Sequence, residues 1–356
     1  MVEHGGGQST SAARRSGIVY GCVDVKRRGI RIAVQIVASV AIIAYLVWKI
    51  DIGQTARYLA ETKPLYLVAA FVIYISTVIP MAWRWRVLLA SKGIHEPIRW
   101  LTKMYFIGYA ASQVLPTGIG GDAVRIVEHA RRRPHAKGEA AGAVLMERAL
   151  GAAGTLVLVA IGLVLAIGRY RNIELLVRVE LASVAALVVL GLVIFSRTAN
   201  TFLQQRVFVH GRAARIRRPL SALWTALHGY RSKRRALAVA LTITVLIQFV
   251  RTIAIWLCGE AVGLDISPLV YIILGPLLFL VMMVPITING LGVRESFFVF
   301  FLGRFGVGPD AAFATGFLFF AVTIAAAVPG ALMFGSRGVR GALASSRHAE
   351  AQETPG

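Results

Sequence analysis

With 356 residues, of which 57% are hydrophobic and 16% charged, and a mean hydropathy of +0.68, the chain is too apolar for a soluble fold of its size. Lipid is the solvent such a composition needs, and the long continuous apolar runs exclude a transmembrane barrel, whose strands alternate over about ten residues. The net charge of +22, from 39 Lys and Arg against 17 Asp and Glu, sits mainly between those runs, so anionic lipid headgroups account for it better than a nucleic-acid partner.

Residues 1–29 are Gly/Ser-rich and then basic (Arg14, Arg15, Lys26, Arg27, Arg28), which reads as a disordered cytoplasmic tail. No small-residue cleavage site follows, so the first apolar run is expected to be a retained helix rather than a signal peptide. Runs long enough to cross the hydrocarbon fall at roughly 30–50, 65–89, 144–168, 179–196, 236–259 and 311–334. Residues 30–335 thus read as a single transmembrane domain, followed by a short polar tail over 336–356. Cys22 and Cys258 lie in a tail and in a span, and give neither a disulfide framework nor a metal site.

Two further runs, about 100–115 and 269–288, lead into a pair of related segments. Pro116-Thr-Gly-Ile-Gly-Gly-Asp-Ala-Val-Arg125 and Pro285-Ile-Thr-Ile-Asn-Gly-Leu-Gly-Val-Arg294 share five of ten positions at a spacing of 169 residues. Paired Gly/Pro interruptions in the two halves of a membrane protein point to a transporter's substrate site. If both runs turn back, the inner segments carry 29 Lys and Arg and the outer loops 5. If both cross, the segment 197–235, with ten basic and no acidic residues, falls outside, against the positive-inside bias. The expected fold is therefore all-α and polytopic: six full spans plus two re-entrant or half-helix segments related as an inverted repeat, with both termini cytoplasmic. Eight ordinary spans with interfacial loops are the alternative. Residues 197–235, which mix Arg with Val, Ile, Leu, Trp224 and Tyr230, read as amphipathic helix on an anionic inner leaflet, or as a solvated basic loop.

At the first motif, Gly118, Gly120 and Gly121 let the backbone turn and approach a ligand. A helix starting near Asp122 would aim free N–H groups into a cavity, with Arg125 adding a fork of donors suited to phosphate. At the second, Asn289, Gly290 and Gly292 supply the turn and Arg294 the cation, with Glu295 pairing either with Arg294 or with a basic group on the substrate. Both motifs are expected to line one central cavity, because irregular backbone at membrane depth needs protein or water around it. Glu147 and Arg148 open the third long run and read either as a structural ion pair or as part of the substrate path. Arg251 lies mid-span and faces a partner or the cavity; Arg84 and Arg86, interleaved with Trp83 and Trp85, read as interface anchors. His129 and His135 lie near Arg131, Arg132 and Arg133 without metal-ligand spacing. No nucleophile elbow, phosphate-binding loop ending in Lys-Ser/Thr or catalytic carboxylate pair occurs, so no catalytic residue, cofactor or metal is expected.

The pattern Leu115-Pro-x-x-x-Gly-Gly-Asp-x-x-Arg125, then Glu147-Arg148, then Pro285-x-x-x-Asn-Gly-Leu-Gly-x-Arg-Glu295 resembles the lysylphosphatidylglycerol synthase transmembrane region, a flippase-like membrane family, over roughly residues 30–335. Asn289 stands where the family pattern leads one to expect Gly. The resemblance implies a lipid translocase acting on charged phospholipids or lipid-linked head groups. In full-length synthases a soluble aminoacyl-transferase domain follows the membrane part. Here only a short polar stretch follows Phe334, so lysyl transfer is not expected to carry over. The leading reading is a flippase-like transporter in the plasma membrane, with anionic lipid head groups as ligands and a lipid-biosynthetic enzyme as a candidate partner. The alternatives are a membrane scaffold for cell-envelope lipid synthesis, docking through 197–235, and a lipid head-group transferase. For the transferase only Asp122, Glu128 and Glu139 offer inner-side carboxylates.

Overall fold

The computed structural model of the chain describes residues 34–114, 120–166, 224–283 and 290–352, with scattered positions between 178 and 221 and position 287. The expectations for the 1–29 tail, most of the 179–196 run, most of the 197–235 segment, residues 115–119 of the first motif and Asn289 lie outside the described residues. All regular structure among the described residues is helical.

Helix α1 (Val34–Lys49) meets α2 (Ile52–Ala60) at 91°. Asp51 makes the elbow: its carboxylate accepts from the Gln54 N–H at 3.0 Å and caps α2, while its own N–H donates to Asp310 Oδ1 at 2.6 Å. Helices α3 (Pro64–Ser76) and α4 (Val78–Ala90) form one long apolar crossing. The small break at Thr77 has a local cause, because Pro80 has no N–H to offer the Ser76 carbonyl.

Helix α5 (Ile98–Val114) and α6 (Gly120–Arg132) form a hairpin. Near the turn, Gly108 lies against Gly121 and Arg125. At the open end, Glu96 just before α5 accepts from Arg132 at 3.1 Å and from Arg133 at 2.6 Å, beside the buried His129. A 3-10 turn at Pro134–Ala136 leads into α7 (Lys137–Ala166). Helix α8 (Arg234–Val262) ends at Gly263, whose φ of +89° only glycine adopts readily. There follow α9 (Pro268–Met283), α10 (Val293–Gly303) and α11 (Pro309–Gln352). The 336–356 segment, expected as a polar tail, continues α11 as helix to Gln352.

Four stretches among the described residues are long and apolar enough to cross a membrane: Pro64–Ala90, Pro134–Leu165, Arg234–Val262 and Pro309–Gly335. The bent α1–α2 pair makes a fifth if it counts as one span. The chain is an all-α, multi-pass membrane protein. Each Gly/Pro motif joins two helices, α5 to α6 and α9 to α10. Polar α6 folds back along α5, whereas the Phe-rich α10 packs on α11.

Small residues set the helix packing, as lipid supplies no hydrophobic drive between spans. Gly154 of α7 admits Thr244 of α8, Gly162 of α7 admits Ile272 and Ile273 of α9, and Gly275 of α9 admits Thr252 of α8. Two buried apolar clusters result. One is shared mainly by α3, α8, α9, α10 and α11, the other mainly by α4, α5 and α7. Trp48, Leu65, Val72, Ile79 and Leu332 point outward, where a bilayer covers them.

The tightest approach brings Gly330 of α11 onto the Phe106 carbonyl of α5, backbone to backbone. A methyl group there must push the helices apart. Gly330→Ala should lower stability by about 1–3 kcal/mol. Gly335→Ala, with nothing within 4 Å of the added carbon, should be neutral or slightly favourable. Thermal unfolding of the two variants in the same detergent checks this. Equal melting temperatures would mean that the α5–α11 contact does not constrain the fold.

Candidate functional site

A carboxylate inside an apolar helix is tolerated only when its charge is answered locally. Glu147 of α7 is 4% exposed, and its partners come from three other helices. Its Oε1 accepts from Arg84 Nε of α4 at 3.2 Å and from the Tyr105 hydroxyl of α5 at 2.5 Å. Its Oε2 accepts from an Arg125 guanidinium N–H of α6 at 2.6 Å. Arg84 in turn donates to Thr244 Oγ1 of α8 at 3.1 Å.

The network continues through Asp122 on the first turn of α6. Asp122 Oδ1 accepts from Arg125 at 3.1 Å, and Oδ2 accepts from Arg148 Nε of α7 at 2.6 Å. Signs therefore alternate along Arg148, Asp122, Arg125, Glu147 and Arg84. Glu147 and Arg148, adjacent in sequence, do not pair with each other. Consecutive helical residues point in different directions, and each finds its partner on α6 instead. The Arg125 guanidinium also lies 3.8 Å from the Tyr105 ring centre and 4.1 Å from that of Trp85. Such cation–π contacts contribute about 0.5–2 kcal/mol each, more when dry.

These groups face a cavity of about 250 Å³. Gly121, Asp122, Arg125, Glu147 and Arg148 all line it, joined by Arg84, Tyr109, Gln248 and Arg251. Gly120 is buried at the start of α6. Among the described residues Arg251 meets no carboxylate. It donates to the Tyr109 hydroxyl, to Thr77 Oγ1 at 3.3 Å and to Met81 Sδ at 3.0 Å, and lies over the Tyr74 ring at 5.0 Å.

Arg84 corrects the interface-anchor reading. Along this part of α4, Trp83 and Arg86 are exposed, while Arg84 and Trp85 turn inward and are buried. Arg84 is thus a member of the charged network, and Trp85 is one wall of the Arg125 slot. The sequence did carry a signal, because a cation inside an apolar run demands a partner. Composition could not say on which side of the helix that partner lies.

The second motif takes a different place. Gly290 and Gly292 adopt φ of +71° and +84°, with Gly290 turned back onto Met282 of α9 and Gly292 against Ile42 of α1. Glu295 Oε2 accepts the Gly292 N–H at 2.7 Å and so closes the first turn of α10. Arg294, 2% exposed, donates to Thr323 Oγ1 at 3.4 Å and lies 4.7 Å from the Phe320 ring centre. None of the described residues of this motif lines the cavity around Glu147. The structure brings together the first-motif candidates and Glu147-Arg148, and sets the second motif apart, with Gly290 against α9, Gly292 against α1, and Arg294 and Glu295 on α10 beside α11.

The family described as the lysylphosphatidylglycerol synthase TM region matches residues 32–330, nearly the whole helical body. The chain belongs to this family. It is also similar to a UPF0104 membrane protein of Methanothermobacter thermautotrophicus, 25% identical over 299 residues, spanning 78% of this chain and 87% of that relative. The resemblance carried by the motifs is thus shown. Within this member of the synthase TM-region family, Gly121, Asp122 and Arg125 of the first motif and Glu147-Arg148 line one charged cavity.

Removing one partner from a buried ion network leaves the others charged and unanswered, at about 3–5 kcal/mol for a fully enclosed pair. Glu147→Gln should therefore destabilise strongly, because it takes the carboxylate from Arg84 and leaves Arg125 with Asp122 alone. Asp122→Asn should cost clearly less, since its side chain is 18% exposed against 3% for Glu147. Denaturation midpoints in detergent micelles test the ranking. The reverse order would mean that Glu147 is not the keystone of the network.

Proposed function

We propose that this protein is a flippase-like transporter that moves a lipid with an anionic or zwitterionic head group between the leaflets of the plasma membrane. The carrying observation is the cavity, whose lining holds four arginines (Arg84, Arg125, Arg148 and Arg251) against two carboxylates (Asp122 and Glu147). Gln248, which lines it, is the midpoint of the Arg234–Val262 crossing, so the charged chamber lies at membrane depth. A polar chamber there is expensive to keep and is expected where a charged group is handled. The head group would enter it and meet the guanidinium donors, while its acyl or prenyl tails stay in lipid.

Family membership supports a lipid-related role, as the family takes its name from lysylphosphatidylglycerol synthases. In this reading the protein is a carrier rather than an enzyme, both termini are cytoplasmic, and rocking of helix groups about the chamber gives alternating access. A lipid-biosynthetic enzyme is the natural partner, supplying or consuming the lipid on one face.

A leaflet-exposure assay in proteoliposomes tests this reading, using fluorescent phospholipids and a membrane-impermeant quencher. Wild type should speed exchange above protein-free vesicles. Arg125→Lys keeps a charge opposite Glu147 but loses the planar fork, and should reduce the rate by about 10- to 100-fold while the protein stays folded. No acceleration across anionic and zwitterionic lipids alike would sink transport and leave a scaffold role in its place.

A further inference from the structure

The charges of the chamber restrict the kind of head group it takes. Both carboxylates are already engaged, Glu147 by Arg84 and Arg125 and Asp122 by Arg125 and Arg148. A cationic head group such as an aminoacyl ester would find neither of them unengaged. Among the described lining residues the four arginines outnumber the two carboxylates by two.

Arg251 is where part of that surplus is concentrated. Among the described residues no carboxylate lies within ion-pair reach of it, and its donors meet only Thr77, Tyr109 and Met81. It nevertheless sits in the apolar Arg234–Val262 crossing, with the Phe279 ring centre 5.9 Å away. It lies seven residues from Thr244, the acceptor of Arg84, which is two helical turns or about 10 Å along α8. The chamber therefore has two positive poles along one face of α8, the Arg84 cluster reaching it from α4 at Thr244 and Arg251 of α8 itself, with Gln248 between them.

We infer that the chamber is built for a head group bearing two negative charges on a terminal phosphate, a phosphate monoester rather than a phosphodiester. This rests on the transport reading above and specifies its substrate class. A monoester carries about −1.5 to −2 at pH 7, with a second pKa near 6, and presents three strong acceptor oxygens. A diester, as in phosphatidylglycerol, carries one charge and leaves one pole of the chamber unanswered. Arg251 is the residue that separates the two classes.

The test measures binding to the full chain in phosphatidylcholine nanodiscs. Phosphatidic acid and phosphatidylglycerol with identical acyl chains serve as probes. At pH 8 phosphatidic acid should bind about tenfold tighter, the worth of one added charge contact in a partly screened site. At pH 5 the second proton is on, both lipids carry one charge, and the ratio should fall toward one. Arg251→Gln should erase the preference at pH 8, and Arg251→Lys should keep most of it.

Equal binding of the two lipids to wild type at pH 8 overturns the inference, as does a preference that persists at pH 5 or in a folded Arg251→Gln protein. If Arg251→Gln does not fold, the wild-type pH series and Arg251→Lys still decide. Phosphatidylglycerol bound as tightly and also exchanged between leaflets would defeat the monoester assignment alone and leave transport standing. No phosphate lipid bound above phosphatidylcholine, together with no exchange, would defeat both. Inorganic phosphate or glycerol 3-phosphate competing as well as phosphatidic acid would show that the tails are not read, which overturns the lipid source.

Discussion

The Glu147 carboxylate is the interaction on which the middle of this molecule depends. It draws side chains of α4, α5 and α6 to α7, and through Arg84 it reaches Thr244 of α8. Buried charge is costly, so these helices are held in the one arrangement that answers it. The network also gives the chamber its character. Its bonds are charge-assisted and built on guanidinium groups, which accept a phosphate in place of a carboxylate without a change of chemistry. In the transport reading, a head group in the chamber would compete for the same donors that hold the helices together, and its entry would be linked to helix position.

The two Gly/Pro motifs, alike in sequence, do unlike work in the described structure. Around the first, α6 is polar, turns back along α5 and faces its Asp122 and Arg125 into the chamber. Around the second, α10 is apolar and Phe-rich, and Arg294 and Glu295 are used locally, against Thr323 and the Gly292 N–H. The shared feature is a glycine-rich segment at the end of an apolar helix. What each segment delivers is decided by the helix that follows it. Arg251 gives the second half of the chain its own cation at the chamber, from a continuous helix rather than from a motif.

Much was legible in the sequence because the bilayer imposes a simple rule. Every backbone polar group must be satisfied inside the segment that crosses, so long apolar runs are helices, and the runs at 65–89, 236–259 and 311–334 coincide with helices long and apolar enough to cross. The insertion cost of charge likewise picked out Glu147, Arg148 and Arg251 before any partner was known. The family pattern followed from the same residues.

Which charge answers which was not legible, because that depends on helix rotation and on contacts far apart in the chain. Arg84 and Glu147 are 63 residues apart, and Arg84 and Thr244 are 160. Interleaved Trp and Arg at positions 83–86 fit an interface anchor and a buried network equally well until the facing helix is in place. The likeness of the two motifs suggested a common cavity, yet among the described residues the network around Glu147 draws on the first motif and on α4, α5, α7 and α8, and not on the second motif. The sequence by itself determined that this is a helical membrane protein with charges buried in its spans, since composition and run length alone set the cost of any other fold. Only the tertiary structure decided that Arg84, Asp122, Arg125, Glu147, Arg148 and Arg251 converge on one chamber with positive surplus while Arg294 and Glu295 do not, since ion pairing across helices is set by packing geometry that no local pattern encodes.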